Sequence, residues 1–228
     1  TSRYPLFEER EVKKVLLLVM TSDRGLCGSF NVNIVRKARE VYKREMDAGR
    51  EVQLWVAGRK GVSAFRFLGV PMDETKTGLP DQPSAEFARD LAAEMVQQFL
   101  DGEVDRVTVI WPRFVTLGRQ PATEMQIVPI PRPEADEEQP EAEVPFLFEP
   151  SPESILEALL PLYVDSMVYR VLSESVVGEL IARRMAMKMA SENAADLVRT
   201  LTLQANKARQ AQITQELAEI IGGSEAQK

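Results

Sequence analysis

Val15-Leu-Leu-Leu-Val-Met20, followed by Thr21-Ser-Asp-Arg-Gly-Leu-Cys-Gly28, is the stretch on which the reading of the fold turns. Six apolar residues without a polar interruption make a strand that must be covered on both faces. The polar, glycine-containing segment after it predicts a turn. Downstream, Asn31–Ala48 carries Ile34, Val35, Ala38, Val41, Tyr42 and Met46 at helical spacing, and Gly49 stands where a C-terminal cap belongs. Glu51–Ala57, with Val52, Leu54, Trp55 and Val56, reads as a second strand. Strand, helix and strand in succession form a βαβ unit, so the two strands are expected to run parallel with a right-handed crossover.

Working outward, Lys60–Phe67 reads as a short helix. Ser84 is placed to cap a helix ending at Leu100, with Asp101-Gly102 as its stop. Val104–Trp111 reads as a third strand, closed by Pro112, and Glu124–Pro129 as a fourth. These elements predict an α/β foot domain over residues 1–133, built on a Rossmann-like βαβ unit. Residues 134–143 hold six acids, no base and a proline, so 134–150 is expected to be a solvated linker.

From Ser151 the pattern changes. Ser151-Pro152-Glu153 combines a capping hydroxyl, a proline for the first helical position and an acid for the first turn. Between Pro161 and Gly222-Gly223 only Gly178 weakens helical propensity, and about sixty residues at 1.5 Å rise give a helix of roughly 90 Å. Pro161 is expected to kink or break its first turns. Leu180, Met187, Ala194, Leu201 and Ala208 recur as a heptad row, with Ala190 and Leu197 beside them and Arg183 and Gln204 interrupting. Such a seam calls for a partner helix alongside. The third region is thus 151–228, a long coiled-coil helix.

Composition limits the chemistry. The 228 residues are 44% hydrophobic and 28% charged, which fits a protein with one good core. The net charge of −7 gives no global attraction to nucleic acid or to an anionic membrane. No apolar run reaches the roughly 20 residues of a membrane-spanning helix. The single cysteine, Cys27, rules out an intrachain disulfide framework and points to a reducing compartment. With no histidine, the commonest general base and the commonest zinc ligand are both missing. Catalysis by carboxylates or lysines stays open, but a hydrolase or metalloenzyme is disfavoured, and no metal or cofactor is expected. A nucleotide-binding enzyme is the first alternative, because a strand–turn–helix unit is where phosphates bind, but Gly25 and Gly28 supply only G-x-x-G.

Two motifs carry a resemblance. Thr21-Ser-Asp-Arg-Gly-Leu-Cys-Gly-Ser-Phe-Asn31 is similar to the glycine turn of the γ subunits of F-type ATP synthases. Asn206-Lys-Ala-Arg-Gln-Ala-Gln-Ile-Thr-Gln-Glu-Leu-Ala-Glu-Ile-Ile-Gly-Gly223 is similar to the same family's C-terminal signature almost throughout. Ala182-Arg183, Ala186-Met187-Lys188 and Asn193-Ala194 fall between them where the family's A-R-M-x-A-M-K…N-A run belongs, and Tyr4–Lys14 fits the approach to its first strand. The resemblance covers essentially the whole chain. Val177-Gly178-Glu179 departs from the family's A-S-E, and Arg184 stands where methionine is usual. The paired cysteines of the light-regulated chloroplast subunits have no counterpart. The family's long N-terminal helix has no counterpart either, and the chain is expected to be a fragment or partial gene product.

The resemblance implies that the long helix is half of an antiparallel coiled coil whose other half is that N-terminal γ helix. It implies a non-catalytic rotor, the central stalk, that couples ion-driven rotation to ATP synthesis and hydrolysis at sites between α and β subunits and helps regulate ATPase activity and proton flow. The implied partners are the α and β subunits of the hexamer, the ε subunit and the membrane c-ring, without nucleic acid and without direct membrane insertion. The implied location is peripheral, on the cytoplasmic face of a bacterial plasma membrane. Arg209, Gln210, Thr214 and Glu216 match family positions that hydrogen-bond the β and α subunits, whereas spacing alone gives a solvated polar face. Arg24 and Cys27 match the loop facing the lower ends of β, although Cys27 by itself reads as an ordinary buried thiol. The alternative is a structural coiled-coil adaptor with no motor role.

Overall fold

A computed structural model describes residues 4–131 and 151–225. After a 3-10 turn at Pro5–Phe7, the chain forms β1 (Lys14–Met20), α1 (Phe30–Asp47), β2 (Glu51–Ala57), α2 (Arg59–Phe67), β3 (Glu74–Lys76), α3 (Ala85–Leu100), β4 (Arg106–Pro112), β5 (Ala122–Val128) and α4 (Pro152–Glu225). The sheet order is β3-β2-β1-β4-β5. β1 pairs parallel with both β2 and β4, β2 parallel with β3, and β5 antiparallel with β4. The parallel βαβ unit is as expected. The 134–143 acidic run lies outside the described residues.

β1 occupies the centre, and each residue from Val15 to Met20 is buried. Alternation along it feeds two cores. Leu17 and Val19 join Leu54, Val56, Ile34, Ala38 and Phe65 beneath α1 and α2. Leu16, Leu18 and Met20 face the other way, onto Met95 and Phe99 of α3 and Val164, Val168 and Leu172 of α4. The helices therefore cover both faces, as a fully apolar central strand requires.

Local signals explain most boundaries. Gly49 has φ 75°, the left-handed geometry that closes α1. Ser84 Oγ accepts from Phe87 N at 3.2 Å, capping α3. Ser151 Oγ accepts from Ser154 N at 3.2 Å, capping α4. One strand was not read from the sequence, and two boundaries differ from the reading. β3, a three-residue edge strand without an apolar side chain, carries no periodic signal. β4 extends onto Pro112, because the backbone there still pairs with Ala122. α4 runs through Pro161, since Leu160 and Val164 on either side are buried and that packing offsets the lost backbone donor. In keeping with the expected long helix, it continues to Glu225 through Gly222 and Gly223, neither of which takes a positive φ.

The chain separates into two compact units, Thr1–Arg183 and Arg184–Lys228. The first turns of α4 belong to the first unit because Leu160, Val164, Val168, Val171 and Leu172 complete the core beside α3. The compact units therefore part within α4, not at residue 151. In the second unit every described side chain of α4 except that of Ala186 is exposed.

One crossing holds the carboxyl ends of β1 and β2 together. Gly58 has φ 99°, and a Cβ there would lie 2.3 Å from Thr21 O. Gly58→Ala is expected to cost about 2–4 kcal/mol, from backbone strain and the clash together. Urea unfolding followed by tryptophan fluorescence measures it, and a loss below about 0.5 kcal/mol would mean that the crossing yields easily.

Candidate functional site

Two groups of residues were singled out by sequence, and they lie in different units. Arg24 and Cys27 sit in the turn at the carboxyl end of β1. Arg209, Gln210, Thr214 and Glu216 lie on the exposed part of α4.

The turn is fixed by side chains that substitute for a regular hydrogen-bond ladder. Asn31 Nδ2 donates to Ser22 Oγ at 2.8 Å and to Cys27 Sγ at 3.2 Å, and Ser22 N donates to Asn31 Oδ1 at 3.0 Å. Cys27 is buried under this network and is packed with Phe30 and Ile34. The loop presents Leu26 instead, which has φ 62° and is 75% exposed. A leucine in the left-handed region carries a backbone cost, and here the cost places an apolar side chain in solvent. Arg24 is also exposed and pairs with Asp81 at 3.0 Å. Of the two candidates in this turn, only Arg24 is on the surface.

The same turn also closes a second helix N-terminus, that of α2, to an anion. The N-terminus of α2 lies at the sheet's carboxyl edge, where a dinucleotide fold would hold a phosphate. Here Arg59 N donates to Asp23 Oδ1 at 2.8 Å, Lys60 N to Ser22 O at 3.0 Å and Gly61 N to Thr21 Oγ1 at 3.0 Å. Asp23 Oδ2 also accepts from Leu79 N at 2.6 Å. The chain's own carboxylate stands where the ligand anion would, and the amides are already used. Thirty-six residues separate Asp23 from Arg59, so no local spacing signals this cap.

Three further contacts seat the start of α4 on this edge of the sheet. Glu174 Oε2 accepts from the indole Nε1 of buried Trp111 at 2.7 Å and from Phe114 N at 3.2 Å, while Oε1 accepts from Arg170 Nε at 2.8 Å. Gly178 faces Phe30 and Pro112, and a Cβ there would lie 3.3 Å from the Phe30 ring. Arg183 reaches Gly25 O at 3.4 Å and pairs with Glu179. Sequence reasoning missed Glu174 and Trp111; only the Arg170–Glu174 spacing of four was visible. The departure at Gly178 has a steric reason in this close approach.

At the opposite end of the strands, Glu45 is buried at the end of α1 and receives Arg44, Arg50 and Arg106. Arg44 and Lys37 also hold Glu124, at 2.9 and 3.2 Å. Burial pushes the Glu45 carboxyl up, but hydrogen bonds from Arg50 and Arg44 and the charge of Arg106 outweigh it and hold it below the ordinary glutamate value. Burial likewise opposes, and hydrogen bonds from Arg170, Trp111 and Phe114 reverse, the shift at Glu174, which also ends low. Glu124 is lowered in the same way by Arg44 and Lys37.

In the second unit the four candidate residues are all exposed. Thr214 Oγ1 donates to Gln210 O at 2.9 Å, and Glu216 Oε1 accepts from Gln212 Nε2 at 3.0 Å. Thr200 and Thr202 make the same back-bonds to Asp196 O and Val198 O. Exposed apolar residues accompany them on every side. At 3.6 residues per turn, Met187, Val198 and Leu201 point one way, and Met185, Leu203, Leu217 and Ile221 the opposite way. A helix apolar all round is made to be enclosed.

Among the described residues no group of histidine, cysteine, aspartate or glutamate is arranged to hold a metal, and no helix is long and apolar enough to cross a membrane. The first unit is a two-faced α/β domain, and the second is an exposed helix that is apolar all round. Comparison with known proteins gives the particular family. The ATP synthase family model matches residues 1–227. The γ chain of the ATP synthase of Syntrophobacter fumaroxidans is 44% identical over 227 residues, covering 99% of this chain and 78% of that one. The γ chain of a Picosynechococcus is 42% identical, covering 97% and 78%. Among solved structures, the Tetrahymena thermophila mitochondrial ATP synthase central stalk and c-ring contains a chain similar at a TM-score of 0.61 and 25% identity, with 83% of each chain covered. A chain of the Euglena gracilis mitochondrial ATP synthase matches the fold at a TM-score of 0.68 and 21% identity, covering 94% of this chain and 73% of that one. The chain belongs to the γ chains of ATP synthase.

The lowered carboxylates set a pH response. A depressed folded value contributes stability that is present above the unfolded value and is lost as pH falls through the folded one. Melting temperature is therefore expected to hold from neutral pH to about pH 5 and to fall steeply between about pH 4.5 and pH 3. In Glu45→Gln the neutral-pH melting temperature should drop, because three guanidinium groups lose their buried anion, and the acid-side fall should flatten. An unchanged acid limb in that variant would remove Glu45 from the account.

Proposed function

We propose that this chain works as the rotating central stalk of an ion-driven ATP synthase and is not catalytic itself. The observation that carries the reading is the exposed α4 segment after Arg183, apolar on opposite sides and bearing Arg209, Gln210, Thr214 and Glu216. One partner helix covers one stripe of such a surface, and a ring of subunits covers the rest. The Leu180, Met187 and Leu201 row, all three exposed, suits a helix packed antiparallel along it. The remaining circumference suits the α and β subunits of the hexamer.

The mechanism follows from differential contact. A helix with different side chains at each angle has a different contact free energy with each β subunit around it, so turning it shifts which β conformation is favoured. The reverse holds as well, and ATP hydrolysis turns the stalk. On this reading Arg209 and Glu216 supply charged contacts, and Gln210 and Thr214 neutral ones, to the surrounding loops. Arg24, on the exposed turn with Leu26, meets the lower ends of β; Cys27, buried below them, holds the turn's shape. The foot domain contacts the ε subunit and the c-ring and carries torque from the ring to α4. Such a subunit sits peripherally on the membrane's cytoplasmic face in a bacterium. The adaptor alternative shares the helix but predicts no dependence of ATPase activity on its angle-defining residues.

The test is co-assembly with the α and β subunits of a related enzyme. Alanine at Arg209 and Gln210 together is expected to lower the ATPase rate of the assembled complex by about tenfold, a contact loss of roughly 1.4 kcal/mol in the coupled step. The foot's melting temperature should be unchanged. A chain that never co-purifies with the hexamer would sink the rotor reading, and full activity with both residues replaced would return the choice to the adaptor.

A further inference from the structure

A second surface on the foot has no role in that reading. Between α1 and the end of α2 lies a groove of about 370 Å³, lined by Arg36, Arg39, Glu40, Tyr42, Lys43, Phe65 and Val70. Arg36, Arg39, Glu40 and Lys43 follow helical spacing, so they form one rim. All four are exposed, whereas Phe65 is wholly buried and Tyr42 and Val70 are half-buried. The groove thus has a cationic rim and an apolar, aromatic floor.

The cations of α1 divide by side. Lys37 and Arg44, toward the sheet, are held by Glu124 and Glu45. Arg36, Arg39 and Lys43 have no hydrogen bond or ion pair among the described residues, and Glu40 is the only acid on the groove. In a chain of net charge −7, three unpaired cations around one apolar cleft are a local reversal of sign. Arg66, in the last turn of α2, is exposed too, and Phe67 after it is 90% exposed.

We propose that this groove is a docking site for an acidic peptide segment of a partner protein, with carboxylates on Arg36, Arg39 and Lys43 and an aromatic or aliphatic side chain against Tyr42 and Val70. Two guanidinium forks favour carboxylate over a point anion. The apolar floor adds an anchor that an inorganic anion cannot use. Extended polyanions fit worse. At physiological salt, charge acts over about 8 Å, so a short peptide feels only the groove, whereas a membrane or nucleic acid also meets the acidic remainder. A partner bound there would turn with the foot or stop it.

The probe is a dye-labelled peptide, EEFEEL, titrated into the whole chain and followed by fluorescence anisotropy. The expected result is saturable binding at low salt that weakens as salt rises. It should be lost with the control KKFKKL, be weaker with EEAEEL, and fall at least about tenfold in the R36E/R39E/K43E variant. Circular dichroism and melting temperature check that this variant stays folded, and its substitutions are far in sequence from the exposed helix. Equal binding by the variant, or no saturable binding, overturns the proposal. So does the opposite preference, in which vesicles of anionic lipid take up the chain through the same residues and the peptide does not bind. None of these outcomes bears on assembly with the hexamer.

Discussion

The structure depends on β1 having nowhere to face solvent. Its side chains from Val15 to Met20 are buried on both sides, and a strand of that kind is stable only between two layers. α1 and α2 supply one layer. The other is α3 together with the start of α4, which explains why a helix given mainly to the second unit begins inside the first unit's core. Removing the first turns of α4 would expose Leu16, Leu18 and Met20, so the foot and the helix are not separable at the linker.

The elements read from sequence were those with a strong local signal. Val15–Met20, the helix closed by Gly49 and the helix capped by Ser84 each announce themselves through apolar period or a capping residue. β3 does not, since Glu74-Thr-Lys76 has no apolar side chain and exists because β2 offers it an edge. Pro161 misled for the complementary reason: local propensity marks it as a break, and packing overrides it. The division at residue 151 was drawn from composition, which cannot report that Leu160, Val168 and Leu172 pack under the sheet.

The candidate site was legible to different depths. Family likeness pointed to Arg24 and Cys27 alike, but burial separates them, and the exposed tip is Arg24 with Leu26. Asp23 as the cap of α2, and Glu174 as the acceptor for Trp111, join residues far apart in sequence and leave no periodic trace. The six-residue cluster of Glu45, Glu124 and their cations was hidden for the same reason. By contrast the exposure of Arg209, Gln210, Thr214 and Glu216 follows from the sequence alone, because that part of α4 packs on nothing in its own unit.

The back-bonded hydroxyls of that helix have a consequence for how it is held. Thr200, Thr202 and Thr214 each give their proton to the carbonyl one turn earlier, so outwardly they offer lone pairs and a methyl group. At these three positions the helix therefore gives no side-chain donor to whatever encloses it. For a part that must leave one set of contacts and enter another at every step, shallow grip at such positions is an advantage: the energy surface against angle stays smoother there, as in a lubricated bearing.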